Sequence, residues 1–336
     1  MASCVPGVAA PPDGAASEVS RLLPEMEIGT FTGCRGVEIV YGVRRVPASR
    51  ATVVIVNGRN ETFVKYRETI AFLAAAGFSV WAYDHRGQGF SGRLLADPEK
   101  GHVESYDDYV ADLDHLLTRI VKADPAGCLL LAHSMGGTIA LLHQLRHPGL
   151  VAGLALSSPM LGFPTDPWPA CLVPPMLTLL DLLGFGRSYI IGGGPFRPEP
   201  YASDNVLTSD REHYEANQRL MRDHPRIRLG APTNNWVRQS LAAIAEIRAG
   251  AGRIGIPLLL LQAGNDRVVD NRAQKDFCRR CPGCRLVPMA GSQHEILMEK
   301  PAIRETARRM IVEFFNRVIS GAGRPDPGEK NEKGKE

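Results

Sequence analysis

Residues Ala132-His133-Ser134-Met135-Gly136-Gly137 constrain this chain more than any other stretch. An apolar run, Cys128-Leu129-Leu130-Leu131, leads in, and a helix-like run, Thr138-Ile139-Ala140-Leu141-Leu142, leads out. A serine between a buried strand and a helix sits on a sharp turn that exposes its hydroxyl as a nucleophile. Strand and helix pass so close there that only small residues fit, and glycine tolerates the unusual backbone angles. The pattern is G-x-S-x-G with Ala132 in the first place, which keeps the small volume. A capping serine at an ordinary strand-to-helix turn would leave a similar trace.

A serine attacks only with a base, and the base needs an acid to orient it. On a strand–turn–helix scaffold the acid and then the histidine follow the serine in chain order. Pro257-Leu258-Leu259-Leu260-Leu261 reads as a buried strand, and Gly264-Asn265-Asp266 follows shortly after. Arg285-Leu286-Val287-Pro288-Met289 reads as a last strand, with Ser292-Gln293-His294 in the loop beyond. Asp266 and His294 thus lie just past strand ends, the edge where parallel α/β sheets place their sites. Each has a plainer reading: Asn-Asp after glycine is ordinary turn chemistry, and a lone loop histidine says little. Asp270 is a rival acid, better placed to cap the helix beginning near Arg272. The order Ser134, Asp266, His294, each at a strand end, points to a serine hydrolase.

The remaining pattern alternates strand and helix. Residues 51–56 read as a strand, 62–76 as a helix closed by Gly77, and 78–83 as the next strand. Ser105-Tyr106-Asp107-Asp108 fits a capping box. Tyr109, Leu113, Leu116, Leu117 and Ile120 then recur at helical spacing. Residues 154–156 read as a strand, the pattern fades until about Trp236, and 304–319 form a final amphipathic helix. The fold class is α/β: a mainly parallel sheet with helices on both faces.

Four segments make the chain resemble α/β-hydrolases of the lysophospholipase and monoacylglycerol lipase group, above all the bacterial lysophospholipase L2 type. They are Asn57-Gly58-Arg59-Asn60-Glu61, the run from Tyr83 through Asp84-His85-Arg86-Gly87-Gln88-Gly89-Phe90-Ser91 to Gly92, the stretch from Gly101 to Tyr109, and the nucleophile turn. The resemblance runs from about Glu38 to Ile319 and is weak between Pro164 and Pro232. It implies an α/β-hydrolase fold with an inserted cap. The expected division is a loose arm over 1–25, a core over 26–159 and 233–320, a cap over 160–232, and a disordered tail over 321–336.

The expected mechanism follows. Ser134 attacks an ester carbonyl, His294 takes and returns the proton, and Asp266 orients the histidine. The rate should fall below about pH 6, where an ordinary histidine becomes charged. The oxyanion needs two backbone N–H donors. Met135, directly after the nucleophile, supplies one. Similarity to the lipases points to Arg59 for the other, with Asn60 as a rival, although the family's usual His-Gly is Asn57-Gly58 here. The resemblance implies a single-chain glycerolipid, a lysophospholipid first and a monoacylglycerol next, and no metal or organic cofactor. A peptidase, a small-ester hydrolase or an acyl transferase on the same scaffold stays open. Non-catalytic relatives of such folds typically lack a triad member, and this chain has all three.

Composition agrees. The chain has 336 residues, 44% hydrophobic and 22% charged, with a net charge of +3. These values suit an ordinary soluble globular protein, and the small charge argues against a nucleic-acid partner. No secretory signal is evident at the start and no run is long and apolar enough to span a bilayer. A cytoplasmic protein, loosely attached to the inner membrane face, is the expectation. Oligomeric state is not readable. Cys278, Cys281 and Cys284 resemble half a metal site without its other ligands, and reduced, incidental thiols are expected.

Gly87, Gly89 and Gly92 match a dinucleotide fingerprint, but that motif must open directly into a helix, and residues 93–101 carry no helical period. The cap segment is rich in aromatics and leucines, including Trp168, Phe185, Leu177 and Leu180. These residues either pack on the core or form an acyl-chain wall that touches a membrane surface. Arg187, Arg197, Arg211, Arg219 and Arg222 either meet a phosphate or are solvated charge.

Overall fold

A computed structural model describes residues 14–122, 127–165 and 168–321. The chain enters through α1 (Ala15–Leu22) and the antiparallel strands β1 (Glu27–Thr32) and β2 (Glu38–Arg44). Then come β3 (Thr52–Val56), α2 (Arg67–Ala75), β4 (Ser79–Tyr83), α3 (Tyr106–His115), β5 (Cys128–His133), α4 (Met135–Arg146) and β6 (Gly153–Ser157). Two helices, α5 (Val173–Leu182) and α6 (Arg211–Asp223), occupy the segment where the pattern fades. The sheet resumes through α7 (Asn234–Gly250), β7 (Leu258–Ala263), α8 (Asn271–Arg280), β8 (Cys284–Met289) and α9 (Pro301–Ile319). The strands lie in the order β1-β2-β4-β3-β5-β6-β7-β8, with β3 through β8 parallel. This is the doubly covered α/β sheet expected.

Side chains alternate across it with the period of two that a strand imposes. Val54, Val56, Leu130, Leu156 and Leu260 pack on one face with residues of α3, α4, α7 and α8. Val53, Ile55, Leu129, Leu131 and Leu259 pack on the other with α1, α2 and α9. Both faces of the central strands are apolar because both are covered, which is why β5 reads as a continuous run. Parallel strands all point their C-terminal ends to one edge, and the loops there carry the polar residues of interest.

Four expectations need correction. From Gly14 on, the supposed loose arm is a docked helix: Ala15, Val19 and Leu23 are buried in the apolar layer that also holds Ile70 of α2 and Phe315 of α9. The capping box is half formed, since the Ser105 hydroxyl accepts from Asp107 N–H at 3.1 Å. Asp108 does not reach back; it is buried against the guanidinium groups of Arg35 and Arg86. The expected helix over 62–76 begins as a 3₁₀ turn, Phe63–Tyr66, and becomes α-helical at Arg67. The thiols are not all reduced: Cys278 at the end of α8 and Cys284 at the start of β8 form a disulfide. Cys281 between them is free and buried. Apart from Gly321, the tail over 321–336 lies outside the described residues, as does the start of the arm. The glycine-rich run closes on itself, Gly87 N–H donating to Gly92 C=O at 2.8 Å, and opens no helix.

Candidate active site

Ser134 joins β5 to α4 with φ 50° and ψ −118°. A non-glycine residue in such a conformation costs about 1–3 kcal/mol, so its surroundings must hold it. They do. Its N–H donates to Ser157 C=O at 3.1 Å, and its C=O accepts from Gly137 and Met160 N–H at 2.9 and 3.0 Å. A Cβ on Gly136 would collide with the carbonyls of Val56 and Asn57, and one on Gly137 would lie 2.7 Å from Pro159 Cβ. The two glycines therefore let α4 start flush against β3 and the exit of β6.

The loops after β7 and β8 bring Asp266 and His294 to this turn. His294 Nδ1 donates to Asp266 Oδ2 at 2.9 Å. That leaves Nε2 to accept from the Ser134 hydroxyl, also at 2.9 Å. Asp266 Oδ1 accepts from the N–H groups of Val268 and Val269 at 2.9 and 3.0 Å. Burial pushes this carboxyl up, but the hydrogen bond and charge of His294 and the two N–H groups outweigh it and hold it below the usual range. The rival, Asp270, caps α8 by accepting from Arg272 N–H at 2.7 Å.

Met135 is the first residue of α4, whose start has no side-chain cap. An N–H at that position has no partner within the helix. The turn after β3 is held at successive peptides. Asn57 C=O contacts His85 Nε2 at 3.0 Å, Gly58 N–H donates to Glu61 Oε2 at 2.6 Å, and Gly58 C=O accepts from Gln88 Nε2 at 2.7 Å. In a trans peptide the N–H opposes the C=O. Fixing Gly58 C=O on Gln88 therefore aims Arg59 N–H the other way. With Gly58 N–H occupied, Arg59 and Asn60 are the donors left in this turn. Asp84 ties the neighbouring loops together, accepting from Phe63 and Phe90 N–H at 2.7 Å each and from the Thr62 hydroxyl at 2.9 Å.

Beside the histidine lies a buried ionic cluster that sequence reasoning missed. Lys65 Nζ donates to Glu61 Oε1 at 2.7 Å and to Glu295 Oε1 at 2.5 Å. Tyr66 donates its hydroxyl to Glu61 at 2.8 Å. The cluster supports the base and the turn together, since Glu295 adjoins His294 and Glu61 holds Gly58. Its only trace in the sequence is the i,i+4 spacing of Glu61 and Lys65, which reads equally well as a solvated surface pair.

Ser134 and His294 open into a cavity of about 890 Å³. Its apolar wall comes mainly from the 160–232 segment, including Phe163, Val173, Met176, Leu177 and Leu180. Among the described residues, no group of acidic, histidine or cysteine side chains could hold a metal ion. Of the five arginines noted in that segment, Arg197 lines the cavity. Arg187 pairs with Glu104, and Arg211 and Arg219 with Glu215. Arg222 lies exposed beside Asp223.

A doubly covered parallel sheet whose strand ends gather a strained serine, a histidine and an aspartate defines an α/β-hydrolase. The family profile described as serine aminopeptidase, S33, matches residues 47–301. The chain belongs to this family and is an ester hydrolase. It is 42% identical over 302 residues to lysophospholipase L2 of Escherichia coli, covering 87% of this chain and 88% of that one. It is 30% identical over 309 residues to a probable lysophospholipase L2 of Haemophilus influenzae, covering 89% and 96%. The crystal structure of a monoacylglycerol lipase from Paleococcus ferrophilus superposes with a TM-score of 0.62 at 21% identity, over 88% of this chain and 99% of that one.

Proposed function

We propose that this enzyme cleaves the ester of a lysophospholipid through an acyl-enzyme on Ser134. His294 serves as base and then acid, Asp266 as its orienting partner, and the N–H groups of Met135 and Arg59 as the oxyanion hole. The observation that carries the reading is the hydrogen-bonded chain Asp266–His294–Ser134 at the floor of a large, mostly apolar cavity. An acyl chain fits such a wall, and a cavity of this size suits one chain. The two L2 relatives favour the lysophospholipid. The lipase neighbour keeps monoacylglycerol as the second substrate.

The family takes its description from a serine aminopeptidase. A free substrate amine needs an unpaired carboxylate near the nucleophile. Of the carboxylates on the cavity, Glu61 and Glu295 near the nucleophile are both held by Lys65, and Glu199 is exposed on the 160–232 segment, which favours an ester.

The 160–232 segment is read as a cap that meets a lipid surface. Leu172, Leu179, Leu182, Leu183, Phe185 and Ile191 are exposed on and around α5, Leu182 by 80%. A protein that lifts single lipids needs such a face, and no helix among the described residues is long and apolar enough to cross a membrane. Peripheral attachment at the inner face, from the cytoplasm, is part of the same reading.

The test is fatty-acid release from a lysophospholipid and from a monoacylglycerol of equal acyl length, with Ser134→Ala as the blank. The reading expects faster release from the lysophospholipid and loss of both activities, and of labelling by a serine-directed phosphonate, in the variant. Cleavage of short esters alone would remove the lipid assignment.

A further inference from the structure

Arg59 carries a second feature, separate from its backbone N–H. Its half-buried side chain lines the same cavity as Ser134, and no carboxylate among the described residues pairs with it. Nη2 donates to Gly230 C=O, the group lies 5.3 Å from the centre of the Trp236 ring, and the buried Nε has no partner. Burial pushes the guanidinium down to about 10, so it stays charged at neutral pH. A Cβ on Gly101 would run into its Nη2, so the chain leaves a space there for this cation.

A half-buried cation without a carboxylate partner is costly, and a structure retains one where something offsets that cost. Two arginines of the loop after β4 make the contrast: Arg86 forks onto Asp112 with two contacts of 2.6 Å, and Arg93, which also lacks a carboxylate partner, bonds Arg226 C=O outside the cavity. Around Arg59 the protein supplies a carbonyl and an aromatic face and leaves donors over. The other charges on the cavity are Glu61 and Glu295, which Lys65 engages, and Arg197 and Glu199. An anion entering the cavity meets Arg59 as the enclosed cation.

Position narrows the anion. Arg59 adjoins Gly58, where a Cβ would lie 3.3 Å from Ser134 Cβ. The Arg59 side chain thus starts from backbone beside the nucleophile and lines the same cavity. In a lysophospholipid only the glycerol unit separates the scissile ester from the phosphodiester. Arginine presents a planar fork of donors suited to phosphate oxygens. We propose that Arg59 binds the head-group phosphodiester of the substrate and sets the preference for lysophospholipid over monoacylglycerol. This rests on the lysophospholipid reading above.

The test compares wild type with Arg59→Met and Arg59→Lys on the two substrates of equal acyl length. The readout is the ratio of their kcat/KM values. Both substrates use the same backbone N–H, so the ratio cancels any effect of the substitutions on the oxyanion turn. The ratio should fall at least about tenfold in Arg59→Met and less in Arg59→Lys, in keeping with a lost charged hydrogen bond. An ether-linked lysophospholipid, which has no ester to cleave, should inhibit wild-type turnover of a soluble neutral ester at least about tenfold more tightly than it inhibits Arg59→Met. Inorganic phosphate should inhibit neither enzyme at the same concentrations. An unchanged ratio would overturn the assignment and leave Arg59 as a tether to the cap. Equal inhibition by inorganic phosphate would reassign the group to free anions. If wild type cleaves the monoacylglycerol but no lysophospholipid, the substrate reading fails and this assignment with it.

Discussion

The side chains that decide the chemistry of Ser134 do not all touch it. Gln88 holds Gly58 C=O and thereby aims the next N–H. Gln88→Ala should lower kcat on a short soluble ester about 10- to 100-fold with KM nearly unchanged, because a loosened oxyanion donor weakens the transition state more than the ground state. A rise in KM at constant kcat would show that Gln88 acts on binding. Glu61 offers a prediction with pH. Burial opposes its charge, but the Lys65 charge and hydrogen bonds outweigh this and bring its pKa down to about 2, against 4.5 for an ordinary glutamate. Between those values the unfolded chain binds more protons than the folded one. Glu61 therefore contributes stability above about pH 4.5 that is lost as the pH falls towards 2. In thermal melts Glu61→Gln should be less stable than wild type at pH 7 and lose less on acidification. Identical acid slopes would sink the idea.

At the scale of elements, the strands and their site residues were largely legible and the 160–232 helices were not. A buried parallel strand is a short apolar run bounded by turn residues, which is how the runs ending near Asp266 and His294 stood out. Helix α5 is apolar on nearly every side because its outer leucines stay exposed, so no single face marks it. Helix α1 was hidden by alanines and serines, and only Val19 and Leu23 betrayed its docking. Asp108 kept the spacing of a cap residue, but two arginines from distant segments claimed its carboxylate. The exposed end of α5 also carries a prediction. Leu182→Asp with Leu183→Asp alters residues outside the cavity. It should weaken binding to phospholipid vesicles about tenfold or more in a sedimentation assay, since each leucine contributes of order 1.5–3 kcal/mol when buried in lipid. Unchanged binding would move the lipid contact elsewhere on the molecule.

For the whole molecule, the sheet brings together residues that the chain keeps far apart, and this limits what sequence order conveys. The triad order was readable; the meeting of Lys65 with Glu295 was not, since no local pattern joins residues 230 positions apart. The Cys278–Cys284 disulfide has the same character, because three cysteines at regular spacing do not reveal which pair meets. It also bears on compartment. Thiol labelling of protein from cells should find Cys278 and Cys284 reduced if the enzyme works in the cytoplasm, and oxidised if it works outside. Finally, Ser134 and His294 stand 160 residues apart in the chain. A ribosome adding roughly 5–20 residues per second takes about 8–30 s to cover that distance. Throughout that interval the emerging polypeptide holds its nucleophile without a base, so it cannot attack nearby lipids until His294 has been made.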